Sequence, residues 1–400
     1  MIRKSSLRKF LLLAVAGAAS LQAPVAEPIV SPTWGFSIDL PEGFELSGGD
    51  RKNRFSFFDA ASGVSVDLVA YASGRYSSPE SLLADAGKRL QAETEPAAFE
   101  YRQRKAALSR LSFTAPFGSA EGWALAVELE NSGGNGSPPP LLLMLAYGKA
   151  GAGANEVRYL SALDSVSPAL RDRAAPGPVS SFAYPPQGRT EARLNVSGVE
   201  IQAAIDRTDA EASKALVDRE FALLAAYSAS PLWKAAWTRF YRMVWRDSYD
   251  RLADVAFAVE RALSAAAPGS SRRDIAEGAL KWVQGFKYER DLMGSDFVDL
   301  VTAAVEGRGD CDSRSLLLAV VLQRANADAI LMVSREYGHA MAAVKVEGNG
   351  AKFTHAGNEW IVAETTAKVG LGMIGKNVSD PNKWIGIDFP ALPPAEAGAK

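Results

Sequence analysis

The chain has one cysteine, Cys311, in 400 residues. An intrachain disulfide is therefore impossible, and a zinc site built on cysteine ligands is not expected. Histidine is nearly as scarce, with only His339 and His355. Any imidazole-dependent chemistry must draw on one of those two. Charge of one sign is also lacking: 44 Lys and Arg stand against 46 Asp and Glu, a formal charge of −2. No basic excess is present to hold a phosphate backbone, so no nucleic-acid partner is expected. No cofactor or metal is expected either.

What is present is globular. Hydrophobic residues make up 48% of the chain and charged residues 22%, and the length suits two or three domains with cores of their own. The first residues read as an address. Arg3, Lys4, Arg8 and Lys9 precede the apolar run from Phe10 to Leu21, and small residues continue to Ala26. The run is shorter than the ~20 apolar residues that span a bilayer. Residues 1–26 are thus expected to be a secretory signal peptide, and the protein to be exported to a periplasmic or extracellular space.

Residues 31–166 are expected to form an α/β domain with a binding or scaffold role. Val64, Val66, Leu68 and Ala70 recur with a period of two; so do Trp123, Leu125, Val127 and Leu129, and Leu141, Leu143, Leu145 and Tyr147. The Gly/Pro-rich stretch 132–140 suits a hairpin loop between the last two strands. Ser78-Pro79-Glu80 reads as the start of a helix, with Ser78 as N-cap and Pro79 at the first helical position. This piece has neither His nor Cys. Its opening, GFSIDLPEGFEL from Gly35 to Leu46, resembles the start of PsbP/Mog1-like α/β domains. That resemblance implies an antiparallel sheet with packed helices, and contact with a partner or the cell envelope rather than chemistry.

Residues 167–190 read as a linker, interrupted by Pro168, Pro176, Pro178, Pro185 and Pro186. From 195 to 400 a helical segment leads into the last domain. Val217, Phe221 and Leu224, then Trp233, Trp237, Tyr241 and Val244, then Leu252, Val255, Val259 and Leu263 keep a helical period and read as core. Ser271 is placed to cap a helix running through Trp282.

The chemistry concentrates around Cys311. Gly307-Arg308-Gly309-Asp310 marks a loop, and the apolar segment from Ser315 to Ala325 is helical, so Cys311 falls at a helix N-terminus. Unpaired N–H groups and the helix dipole favour an anion there, which predicts a lowered thiol pKa and a site for an oxyanion. A thiolate acting on an amide also needs an imidazole. His339 starts a strand after Gly338, and Glu364 ends a later strand, so a meander can bring them together and let Glu364 hold the imidazole tautomer. His355 lies in a turn and is expected to be solvated.

GRGDCDSRSLLLAVVL (307–322), YGHAMAAV (337–344) and EWIVAETTA (359–367) resemble the transglutaminase-like superfamily of cysteine enzymes. The resemblance covers about residues 270–375 and implies a papain-like α+β core. In it Cys311 is the nucleophile, His339 the base and acid, and Glu364 the orienting acid. The chain departs from the usual pattern in two places: Glu364 stands where Asp is commoner, and Met341 where an aromatic often follows Gly-His-Ala. Gln284 is a candidate oxyanion donor, and Tyr337 a candidate cover for the cleft. The expected fold class is therefore α+β throughout. The expected function is an exported cysteine peptidase or amidase acting on a protein or peptide substrate. A non-catalytic binding protein of the same fold and a cross-linking transglutaminase are the alternatives.

Overall fold

The computed structural model describes residues 28–130, 137–290 and 295–390. The expected signal peptide and most of the expected hairpin loop lie outside the described residues. The fold is α+β, with an antiparallel sheet first and helices leading into a second sheet. No described helix is long and apolar enough to cross a membrane.

The first sheet has eight strands, all antiparallel, with Val64–Tyr71, Leu141–Lys149, Gly118–Glu128 and Arg104–Ala115 side by side at its centre. Strict alternation of buried and half-buried residues along Val64–Tyr71 shows why the period of two appears there. One face carries helix α1 (Pro79–Leu90), over Ala107, Leu111, Ala124 and Leu143. Ser78 caps α1 and forms a reciprocal capping box with Ser81. The other face carries helix α2 (Glu156–Asp164), over Val66, Leu68, Leu125, Val127 and Met144.

The Pro-rich stretch 167–190, expected as a linker, is folded and packed. It holds a 3-10 turn, Leu170–Ala174, and helix α3 (Pro178–Ala183), with Ala169, Asp172, Ala175 and Val179 buried. Proline opens α3 at its first position, where no N–H is needed. A hairpin that the sequence reading missed follows, Arg189–Val196 paired with Val199–Asp206.

Helices α4 (Asp209–Ala225), α5 (Trp233–Arg251), α6 (Ala253–Ala266), α7 (Arg272–Gln284) and α8 (Leu300–Glu306) follow; the last four pack around α9 (Cys311–Arg324), and α4 packs on α5 and α8. The middle of α9 is apolar all round, with Leu316 to Leu322 buried without a break. It lies against the second sheet, whose order is Lys352–His355, Asn358–Ala363, His339–Val344, Ala329–Ser334 and Ile385–Ile387.

Helix α5 joins the two halves. Arg239 donates to Asp39 O, to Glu220 Oε2 and to Ser161 Oγ. Two turns on, Arg246 donates to the carbonyls of Ala175, Asp164 and Val166 at 3.1, 2.8 and 2.6 Å. Arg242 turns to Asp388 near the other end of the chain.

The same junction buries Glu42, whose Oε1 has no hydrogen-bond partner among the described residues. Burial pushes its carboxyl up to about 7, against the pull of Arg239. The neutral form therefore stabilises the fold fully below the ordinary value of 4.5, and that contribution is lost as pH rises through about 7. Glu42→Gln should gain stability over the parent with rising pH, by up to about 3 kcal/mol well above neutrality. Urea unfolding across pH checks this; a difference that does not change with pH would refute it.

Candidate active site

Asp310 caps α9: its Oδ1 accepts from Ser313 N at 2.8 Å and from Ser313 Oγ at 2.6 Å. This cap starts the helix at Cys311, as the sequence predicts. Arg314 ties the start of α9 to its surroundings through the carbonyls of Gly309, Phe286 and Thr365. Ser315 Oγ adds a 2.8 Å contact to Thr365 Oγ1.

The second sheet brings His339 and Glu364 together. Strands His339–Val344 and Asn358–Ala363 pair antiparallel, so the start of one lies beside the end of the other. His339 Nε2 stands 2.8 Å from Glu364 Oε2. Glu364 Oε1 accepts from Thr366 N at 2.8 Å and from Thr366 Oγ1 at 2.7 Å, so both carboxylate oxygens are engaged. Burial would raise the Glu364 pKa; the His339 hydrogen bond and charge and the Thr366 bonds outweigh it and hold the pKa below the ordinary value. An ionised Glu364 can only accept, so Nε2 carries the proton in neutral His339 and Nδ1 keeps a free lone pair. Trp384 stands edge-on to the imidazole at 6.1 Å, and Tyr337 packs against Trp384 at 5.6 Å.

Helix α9 packs against this strand at the residue after His339, where Ser315 Oγ donates to Ala340 O at 3.3 Å. The Cys311 thiol donates to Asp312 Oδ2 at 3.5 Å, and no hydrogen bond joins it to His339 among the described residues. Cys311 is 7% exposed. Burial first, then the charges of Asp312 and Asp310, push its thiol pKa well above the ordinary value. The expectation of a lowered pKa is thus reversed, because a helix N-terminus is a smaller influence here than desolvation and two adjacent carboxylates.

Two further residues differ from expectation. Gln284 is no oxyanion donor, since its Nε2 donates to the carbonyls of Glu364 and Val369 at 2.8 and 2.9 Å. It fixes the segment carrying the acid instead. His355 is half-buried rather than solvated, stacked on Phe353, with Nε2 4.0 Å from Asp388 Oδ1. Met341 is fully buried with Trp360 and Trp384, in a cluster separate from the core around α9. Sequence reasoning missed Thr366 and Tyr241; only the Thr pair after Glu364 carried a signal.

Cys311 Sγ and one oxygen each of Asp310 and Asp312 lie within 4.8 Å of one another. Asp310 Oδ1 is spent on the helix cap, and both oxygens of Asp312 have protein partners. These bonds account for the cluster without a cation.

No family model and no curated protein matches the chain. A solved protein of Bacteroides thetaiotaomicron VPI-5482 aligns over 55% of this chain and 77% of its own, at 12% identity and a TM-score of 0.24. A likeness that low carries no argument.

Proposed function

We propose that the chain is a transglutaminase-like cysteine hydrolase, exported from the cytoplasm, that cuts an amide bond in a protein or peptide. The observation that carries this reading is the His339–Glu364 pair, bonded through Nε2 so that Nδ1 keeps its lone pair, at the start of a strand that packs against the helix beginning at Cys311.

The steps follow from that arrangement. His339 Nδ1 takes the thiol proton as Sγ attacks the carbonyl carbon. The oxyanion forms at the start of α9, where the first N–H groups lack intrahelical partners. Its collapse breaks the C–N bond, and the imidazolium returns the proton to the leaving amine. A thioester on Cys311 remains. Water, deprotonated by His339, then hydrolyses it and restores the thiol. The first sheet stands apart from these residues and suits contact with a partner or the cell envelope.

The buried, protonated thiol favours a second reading, a binding protein of the same architecture without turnover. The two separate on incubating the protein and its Cys311→Ala variant with a defined peptide library. Hydrolysis predicts new amino termini with the parent protein alone, and a hydroxamate in place of the acid when hydroxylamine is added. Equal product from both proteins across about pH 5–9 would remove the hydrolase reading. Incorporation of a dansylated amine without cleavage would point to cross-linking instead.

A further inference from the structure

Asp312 sits between two donors. Its Oδ2 accepts from the Cys311 thiol at 3.5 Å, and its Oδ1 accepts from the Tyr241 hydroxyl at 2.5 Å. Tyr241 lies on α5, is buried, and comes from 71 residues away in sequence. Neither contact belongs to the Cys–His–Glu chemistry. We propose that Asp312, held in place by Tyr241, is a positioning residue that keeps Cys311 a protonated thiol in the free protein, so that the nucleophile is released only when the Asp312 charge is neutralised or turned away. This deepens the hydrolase reading and rests on it for the word nucleophile.

The surroundings of the sulfur leave Asp312 as the adjustable group. Helix α9 contributes Asp310, Asp312 and Arg314; α5 contributes Tyr241; Tyr288 approaches from the short strand Lys287–Tyr288. The strand His339–Val344 packs against α9 and starts at the imidazole, whose Nε2 faces Glu364. Asp310 is fixed in place because it caps the helix, and burial pushes its carboxyl up to about 7, so its charge is already partly lost near neutrality. Arg314 is the nearby cation, and its guanidinium is turned onto backbone carbonyls. A carboxylate that accepts the thiol proton stabilises S–H and repels S⁻. The free protein therefore carries little thiolate, the form that reacts with oxidants and electrophiles. For a lone thiol in an oxidising compartment, that is protection until a substrate arrives. Neutralisation of Asp312 would let the free Nδ1 of His339 take the proton.

The test is the pH profile of Cys311 alkylation by iodoacetamide in the full chain, followed by mass spectrometry. Altered access changes the plateau rate, whereas altered protonation moves the midpoint. Asp312→Asn and Asp312→Ala should both lower the midpoint by at least about one pH unit, which is about tenfold faster labelling near neutrality. Tyr241→Phe should shift it the same way by less. Midpoints unmoved or raised in both Asp312 variants would overturn the proposal. His339→Ala separates it from the hydrolase reading. If the Asp312 variants lower the midpoint and His339→Ala in their background leaves it in place, the masking stands and the role of the imidazole falls. If only His339→Ala moves it, the reverse holds.

Discussion

Glu364→Gln is expected to cut amide hydrolysis by about 10³–10⁴-fold while the fold survives. The reason lies in how the new amide must point. Thr366 presents two donors to Oε1, its N–H at 2.8 Å and its hydroxyl at 2.7 Å. A glutamine would keep its oxygen there and turn its NH₂ group to His339. Nε2 would then accept rather than donate, and the neutral imidazole would carry its proton on Nδ1. That nitrogen could no longer take the thiol proton. Nitrogen NMR reads the tautomer directly, since the chain has two histidines to assign. Activity within about tenfold of the parent, or an unchanged tautomer, would refute the role given to Glu364.

Arg246→Met should destabilise the protein by about 3–5 kcal/mol. Arg246 is 6% exposed and spends its guanidinium on three carbonyls, of Asp164, Val166 and Ala175. All three acceptors belong to residues with no exposed surface. Methionine keeps the apolar stem and removes every donor. Each buried acceptor left unpaired costs about 1–3 kcal/mol, with partial relief as water enters. Because these bonds join α5 to the chain between the two sheets, urea unfolding should also lose cooperativity. A loss under about 1 kcal/mol, with one sharp transition retained, would contradict this account.

Much of the fold was legible because the signals are local. Alternation marked Val64–Tyr71, the cap residues Ser78 and Ser271 marked two helix starts, and the loop ending at Asp310 placed a third. Other elements were hidden for physical reasons. Arg104–Ala115 is an alanine-rich central strand, and alanine carries little strand preference. The hairpin Arg189–Asp206 follows a run of prolines that masked it. Yet Ser197 and Gly198 both have positive φ, as a two-residue hairpin turn demands. The prolines themselves misled, since in 176–186 they open and follow a packed helix rather than mark a loose connection.

The candidate site divides in the same way. Cys311, His339 and Glu364 could be named from three short motifs, because helix capping and strand alternation act over a few residues. Gln284 could be noticed, and only its partners at Glu364 and Val369 showed what it does. The state of the sulfur was out of reach of any motif. It depends on how deeply α9 is buried and on a hydroxyl brought by α5 to the neighbouring carboxylate.

By itself, then, the amino-acid order determined which side chains stand at the start of a helix and at the ends of two strands, since turns, caps and periodicity are settled by near neighbours. Only the folded molecule decided which imidazole nitrogen faces the acid and whether the thiol keeps its proton. Those properties come from charges and hydrogen bonds between groups far apart in the chain, and from the loss of water around them.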